Sequence, residues 1–186
     1  LEVQEAIDTL KGEGPEDFTE LCMTLGTYML IAGGQAKEEQ EARTMLAKVI
    51  ADGSALSKLE QFVQAQGGNP AAVQNPSLLP KAAIVEDIQS PCSGYVEKID
   101  CEEIGICSLL LGGGRETKES EIDLAVGLIL HKKVGDYVEA GQALATIHAN
   151  DRKKLAMAKE RFLKAYHITT GEVTKKQLIK GLVTES

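Results

Sequence analysis

The run LHKKVGDYVEAGQALATIHAND, Leu130 to Asp151, decides the architecture of the second half of the chain. Val134, Val138, Leu144 and Ile147 are apolar, and Gly135-Asp136 and Ala140-Gly141 punctuate them. Such punctuation marks tight turns, so the pattern predicts two short strands around glycine turns. Upstream, KAAIVEDI from Lys81 and GYVEKID from Gly94 also predict strands, with Ser90-Pro91 and Ser93-Gly94 as turns. IDLAVGLIL from Ile122 and ALATIHA from Ala143 predict two more, the first broken at Gly127. CEEIGICSLLL from Cys101 fits either helix or strand and is read as helix. Asp151 is placed to cap a helix that carries Leu155, Ala158 and Phe162. AYHIT and KKQLIKGLV then predict edge strands or a short helix.

The first half has a different period. Val3, Ala6, Ile7 and Leu10 recur at helical spacing, which puts residue 1 inside a helix and makes the chain read as a piece of a longer one. Pro15 suits a first helical turn. Phe18, Leu21, Cys22, Leu25, Met29 and Ala32 form one apolar stripe stopped by Gly33-Gly34. A third helix from about Lys37 turns Ala42, Met45, Leu46, Val49 and Ile50 inward and ends at Gly53. Ser54 is placed to cap a fourth, carrying Leu56, Leu59, Phe62 and Val63 and ending at Gly67-Gly68. GGNPAAVQNPSLLP, with three prolines between Pro70 and Pro80, reads as a boundary. The expected fold class is therefore α+β, with a helical part over 1–75 and a β-rich part over 76–186.

A formal net charge of −8 on 186 residues argues against nucleic acid or an anionic membrane as partner. The basic pairs Lys132-Lys133, Lys153-Lys154 and Lys175-Lys176 are scattered among acids and read as solvated faces. There is no apolar run of about 18 residues and no signal-peptide pattern, so the expected location is the cytoplasm. Cys22, Cys92, Cys101 and Cys107 form no C-x-x-C pair and have no histidine at metal spacing. They read as structural or incidental thiols in a reducing compartment, with Cys22 buried on its helical stripe.

The glycine-punctuated run is similar to that of biotin- and lipoate-carrying domains, which makes a carrier or docking module the first functional candidate. A carrier needs a modified lysine on an exposed hairpin, within A-M-K-M or D-K-A, and neither occurs. Lys118, among Glu116, Glu119 and Glu121, is the lysine of the long loop between the strand groups and reads as ordinary solvated chemistry. LLLGGGRETK, Leu109 to Lys118, is the second candidate. A glycine run and Arg115 offer donors to an oxyanion, yet no phosphate-loop spacing is present. The favoured reading is a sharp, close-packed turn with Arg115 in an ion pair nearby. His131, His148 and His167 sit beside strand ends and read as hydrogen-bonded structural residues. No nucleophile–base arrangement and no carboxylate pair follows from spacing.

Several stretches together resemble the C-terminal part of pyrimidine-nucleoside phosphorylases, the thymidine phosphorylase family. They are LEVQEAIDTLKGEGP, DFTELCMTLGTYMLIAGG, EARTMLAKVIADGSALSKLEQFVQAQGG, GYVEKID, LLLGGGR, IDLAVGLIL and VGDYVEAGQALATIHAND, in family order from Leu1 to about Asp151.

The resemblance implies a helical end of a large α/β lobe followed by a barrel-sandwich, α/β-hammerhead domain that shares carrier topology without the lysine. It implies a glycosyltransferase that converts a pyrimidine nucleoside and phosphate to free base and (deoxy)ribose 1-phosphate, with no organic cofactor. It implies a homodimer. The family's phosphate- and base-binding motifs lie upstream of what is matched here, so no catalytic or substrate-binding residue is assigned and this chain alone is expected to be inactive. One family site reaches the chain: the acid that helps bind potassium aligns with Glu5 in LEVQEA.

Overall fold

The computed structural model describes residues 1–115 and 117–183. Glu116, named above beside Lys118, and the last three positions of the 76–186 part lie outside the described residues. The fold is mixed helix and sheet, and the chain divides into two compact units. One unit holds Pro80–Lys176 together with Leu1, and the other holds Glu2–Leu79 and the chain from Gln177 onward.

The β-rich unit contains two three-stranded antiparallel sheets. The first has the order β1 (Ile84–Gln89), β5 (Ala143–Ala149), β3 (Gly127–Leu130). The second has the order β4 (Tyr137–Val138), β2 (Gly94–Ile99), β6 (Tyr166–Thr169). β5 is central in its sheet, and Leu144, Ala145, Ile147 and Ala149 along it are buried. These join Ile88, Val96, Val138 and Phe162 in one core. Two helices complete it: α6 (Cys101–Ser108), extended by a wider turn over Leu109–Gly113, and α7 (Arg152–Ala165).

The ambiguous CEEIGIC segment is thus helical. Asp100 caps it by accepting from the Glu103 N–H. Asp151 caps α7 as expected, accepting from the Lys153 and Lys154 N–H groups at 2.7 and 2.9 Å. Those same N–H groups, Lys154's first, hold the Asp151 carboxyl below the usual carboxylate range. Leu155, Ala158 and Phe162 are all buried. AYHIT, expected as edge strand or short helix, supplies the edge strand β6 over Tyr166–Thr169. KKQLIKGLV forms neither strand nor helix. IDLAVGLIL is strand only from Gly127, since Asp123 accepts the Ala125 N–H and bends the chain into a turn first.

The helical unit comprises α1 (Glu2–Leu10), α2 (Glu16–Ala32), α3 (Glu39–Ala51), α4 (Ser54–Ala65) and the short α5 (Ala71–Gln74). Helix α1 is under way at Glu2, as the spacing of Val3, Ala6, Ile7 and Leu10 predicts. Its buried core is Ile7, Leu56 and Val73, with Leu10, Leu59, Val63 and Leu79 packed around it. Val73 belongs to the proline-rich connector, which therefore contributes to the core instead of only leading out of it.

Several expectations fail here. The stripe assigned to the interior of α2 faces outward in part: Leu25 is 57% and Met29 73% exposed, and Cys22 is exposed as well. The buried residue of α2 is Thr27, whose hydroxyl donates to the Met23 carbonyl at 2.7 Å. Gly26, next to it, lets Leu46 of α3 approach: a Cβ there would lie 3.0 Å from Leu46 Cδ1. Small residues, by permitting close contact, chose the inward face over the larger apolar ones. Similarly Met45, Val49 and Phe62 are exposed. Ser54 is the first residue of α4 and its hydroxyl donates to Asp52 at 2.6 Å, so it does not cap the helix. Gly53, at φ +77°, makes the turn between α3 and α4.

Candidate functional site

The glycine run ends α6. Gly112 has φ +104°, a conformation that side chains other than glycine rarely adopt. At Gly113 a Cβ would lie 2.7 Å from Ser108 Oγ, so the close-packed-turn reading of this stretch holds. Arg115 is exposed, and no ion pair to it forms among the described residues, contrary to expectation. Lys118 lies in an exposed turn whose ends are tied by the Thr117 N–H donating to Ser120 Oγ at 3.0 Å.

Asp123 closes the base of this excursion. Its N–H donates to the Gly112 carbonyl at 2.9 Å. Its carboxylate accepts from Asn150 Nδ2 at 2.7 Å and from the Ala125 N–H at 3.0 Å. These donors, the Asn150 amide above all, hold the Asp123 carboxyl below its ordinary range, and Lys154 adds to the effect. Asn150 Oδ1 in turn accepts from the Ala83 N–H at 2.8 Å, just before β1.

A second polar cluster lies across the β1–β5–β3 sheet. Asp87 pairs with Thr146, and Thr146 with Ile129, so Thr146 sits between the outer strands. Its hydroxyl donates to Asp87 Oδ1 at 2.7 Å, and His131 Nε2 lies 2.7 Å from the same hydroxyl. With the hydroxyl proton given to Asp87, His131 must donate through Nε2–H. That order leaves the histidine unable to take the proton from the hydroxyl, so the cluster is not a nucleophile–base pair. Sequence spacing could not reveal it, because it depends on strand register. His148, also on β5, is half-buried; burial first, and the chain's amino group second, lower its proton affinity. His167 is exposed.

The four cysteines are free thiols, and only Cys107 is buried. Burial pushes its thiol up, and its Sγ lies 3.4 Å from the Ala158 carbonyl. Cys22, expected inside, is exposed because α2 presents another face inward. It borders an apolar cavity of about 340 Å³ between helices, lined also by Leu10, Phe18, Met23, Val49 and Ile50.

Glu5 lies exposed in the first turn of α1, and its backbone carbonyl accepts from Thr9 Oγ1 at 2.7 Å. Among the described residues no group of three or more His, Cys, Asp or Glu side chains is placed to hold a metal ion. Glu5 can supply one oxygen ligand of a hard-cation cage, and these residues do not complete one. No described helix is long and apolar enough to cross a membrane.

Comparison with known proteins places these features in a family. Residues 95–169 match the pyrimidine nucleoside phosphorylase C-terminal domain. The matched span runs from β2 through β6 and includes Gly112, Asp123 and Asn150. The chain is 47% identical over 179 residues, 96% of its length, to a pyrimidine-nucleoside phosphorylase of Geobacillus stearothermophilus, covering 41% of that protein. It is 52% identical over 150 residues to the pyrimidine-nucleoside phosphorylase of Bacillus subtilis (strain 168), covering 81% of this chain and 35% of the relative. The corresponding Staphylococcus aureus (strain USA300) protein is 48% identical over 150 residues, with the same coverage. The chain thus spans between 35% and 41% of the length of these relatives. Residues 95–169 therefore carry the pyrimidine nucleoside phosphorylase C-terminal domain, and the chain as a whole matches the C-terminal part of proteins of that name.

Proposed function

We propose that this chain serves as the C-terminal part of a pyrimidine-nucleoside phosphorylase, a glycosyltransferase acting on a pyrimidine nucleoside and phosphate. The observation that carries the reading is the 47% identity over 96% of the chain to a protein of that name. In the reaction, phosphate attacks the anomeric carbon as the base departs, through a transition state with oxocarbenium character like that of glycoside cleavage. Free base and (deoxy)ribose 1-phosphate are the products. Rate comes from aligning the two reactants on opposing lobes rather than from a covalent intermediate. No organic cofactor is required, and a cytoplasmic homodimer is the working form.

The β-rich unit, from about residue 76, is read as the barrel-sandwich, α/β-hammerhead domain of this enzyme. Two antiparallel three-stranded sheets around one apolar core support that reading. The helical part over 1–75 is read as the end of the central α/β lobe. The family's phosphate- and base-binding motifs lie upstream of the matched stretches, so the chain by itself should not release free base from uridine or thymidine with excess phosphate. Base release that tracks with the purified chain would overturn this.

Glu5 is proposed as a potassium ligand in the family-length protein, with the remaining oxygens supplied by backbone carbonyls outside this chain. A hard monovalent cation there would supply charge that orders the surrounding backbone. Glu5→Gln keeps the shape and removes the charge, so potassium activation of the family-length enzyme should weaken. Unaltered potassium dependence would remove Glu5 from the site.

A further inference from the structure

Three stretches that carry the family likeness, LLLGGGR, IDLAVGLIL and VGDYVEAGQALATIHAND, meet at one small polar cluster. Gly112 contributes a carbonyl, Asp123 its N–H and carboxylate, and Asn150 its side-chain amide. Asn150 also reaches Ala83, so one side chain ties the chain entering β1 to the base of the glycine turn. The Gly112–Asp123 bond ties the end of the glycine turn to the start of IDLAVGLIL.

We propose that Asn150 is a positioning residue: it holds Asp123 against Gly112 and so fixes the base from which the segment bearing Arg115 is presented. The case is geometric. Asn150 Nδ2 and Oδ1 are both engaged, at 2.7 and 2.8 Å, by partners 27 and 67 residues away in sequence. A hydrogen bond from a neutral amide to a carboxylate is among the stronger kinds, and losing it frees Asp123 to leave the turn. Neither alanine nor leucine at 150 could replace it, and aspartate could do so only when protonated. The positioning role does not rest on the reading given under Proposed function.

The test follows the Asp123 amide by hydrogen exchange in NMR on this chain, as protection factors across pH. Asn150→Ala should lower its protection by about tenfold while Leu128 and Ile147 keep theirs. Asn150→Asp sets two carboxylates against each other, and such a pair stays together only by sharing a proton. Its Asp123 protection should therefore be low at pH 8 and recover as the pH is lowered towards 5, with no such recovery in Asn150→Ala. Asp123 protection within twofold of the parent in Asn150→Ala, or no pH-dependent recovery in Asn150→Asp, would overturn the proposal. So would an equal loss at Leu128 and Ile147, since Asn150 would then only add general stability. None of these outcomes depends on phosphorylase activity, so the proposal can fail while the functional reading stands.

Discussion

The rings of Phe162 and Tyr166 stack with centroids 4.6 Å apart and planes 23° from parallel, where α7 passes directly into β6. Phe162 is fully buried, and Tyr166 spends its hydroxyl on the Lys132 carbonyl at 2.9 Å, ahead of the VGD turn. One aromatic pair therefore joins the helix, the second sheet and the glycine turn.

Replacing Phe162 with alanine should destabilise the β-rich unit by about 3–5 kcal/mol, the usual cost of emptying a buried aromatic site. Tyr166→Phe should cost about 1 kcal/mol, the net worth of one hydrogen bond. Urea unfolding monitored by β-sheet circular dichroism measures both. A Phe162→Ala loss below 1 kcal/mol would mean that the pair is not part of the core.

His148 should titrate below the ordinary histidine range, because burial disfavours its charged form and the amino group of Leu1 adds repulsion. The folded-state pKa is depressed, so the stability it contributes is present above the unfolded value of about 6.5 and is lost as pH falls through the folded value. NMR titration of its ring protons gives the pKa directly. N-terminal acetylation should raise it only part of the way, since burial is the larger cause. A pKa at or above 6.5 in the unmodified chain would contradict this placement.

Much of the β-rich unit was legible because its signals are local. Glycine turns, an aspartate before a helix and alternating apolar residues each act within a few positions of where they stand. Asp151 capping α7 and Gly94 opening β2 follow from such chemistry. The glycine run also reads as the close-packed turn it is, since Gly112 answers to its own backbone and Gly113 to the nearby Ser108. What depended on register or on a neighbouring helix was not legible. Thr146 bridging Asp87 and His131 requires knowing that β5 lies between β1 and β3. The inward face of α2 was assigned to its largest apolar residues, whereas Gly26 and Thr27 take it by letting α3 come close. The Asn150–Asp123 contact joins residues 27 apart, and nothing in their types alone pairs them.

The same misassignment makes a prediction about the helical unit. Its buried core is three residues, against fourteen in the β-rich unit. Leu25, Met29 and Phe62 are more than half exposed. Amide exchange should consequently be faster across residues 1–66 than across 83–150, because few buried contacts oppose local opening. Met29→Gln should change stability by less than about 0.5 kcal/mol, as exposed substitutions do. Equal protection in both units, or a Met29→Gln loss above 2 kcal/mol, would show that this face is buried in solution.

The central claim is that these 186 residues work as the C-terminal part of a pyrimidine-nucleoside phosphorylase. The most direct measurement is phosphate-dependent release of free base from uridine or thymidine by a chimera. In it, the matching C-terminal part of the Bacillus subtilis enzyme, 52% identical over 150 residues, is replaced by this chain. The folded chimera should release base well above a phosphate-free control, while the isolated chain should not. A chimera that folds with the parent's thermal stability yet releases no base would contradict this claim.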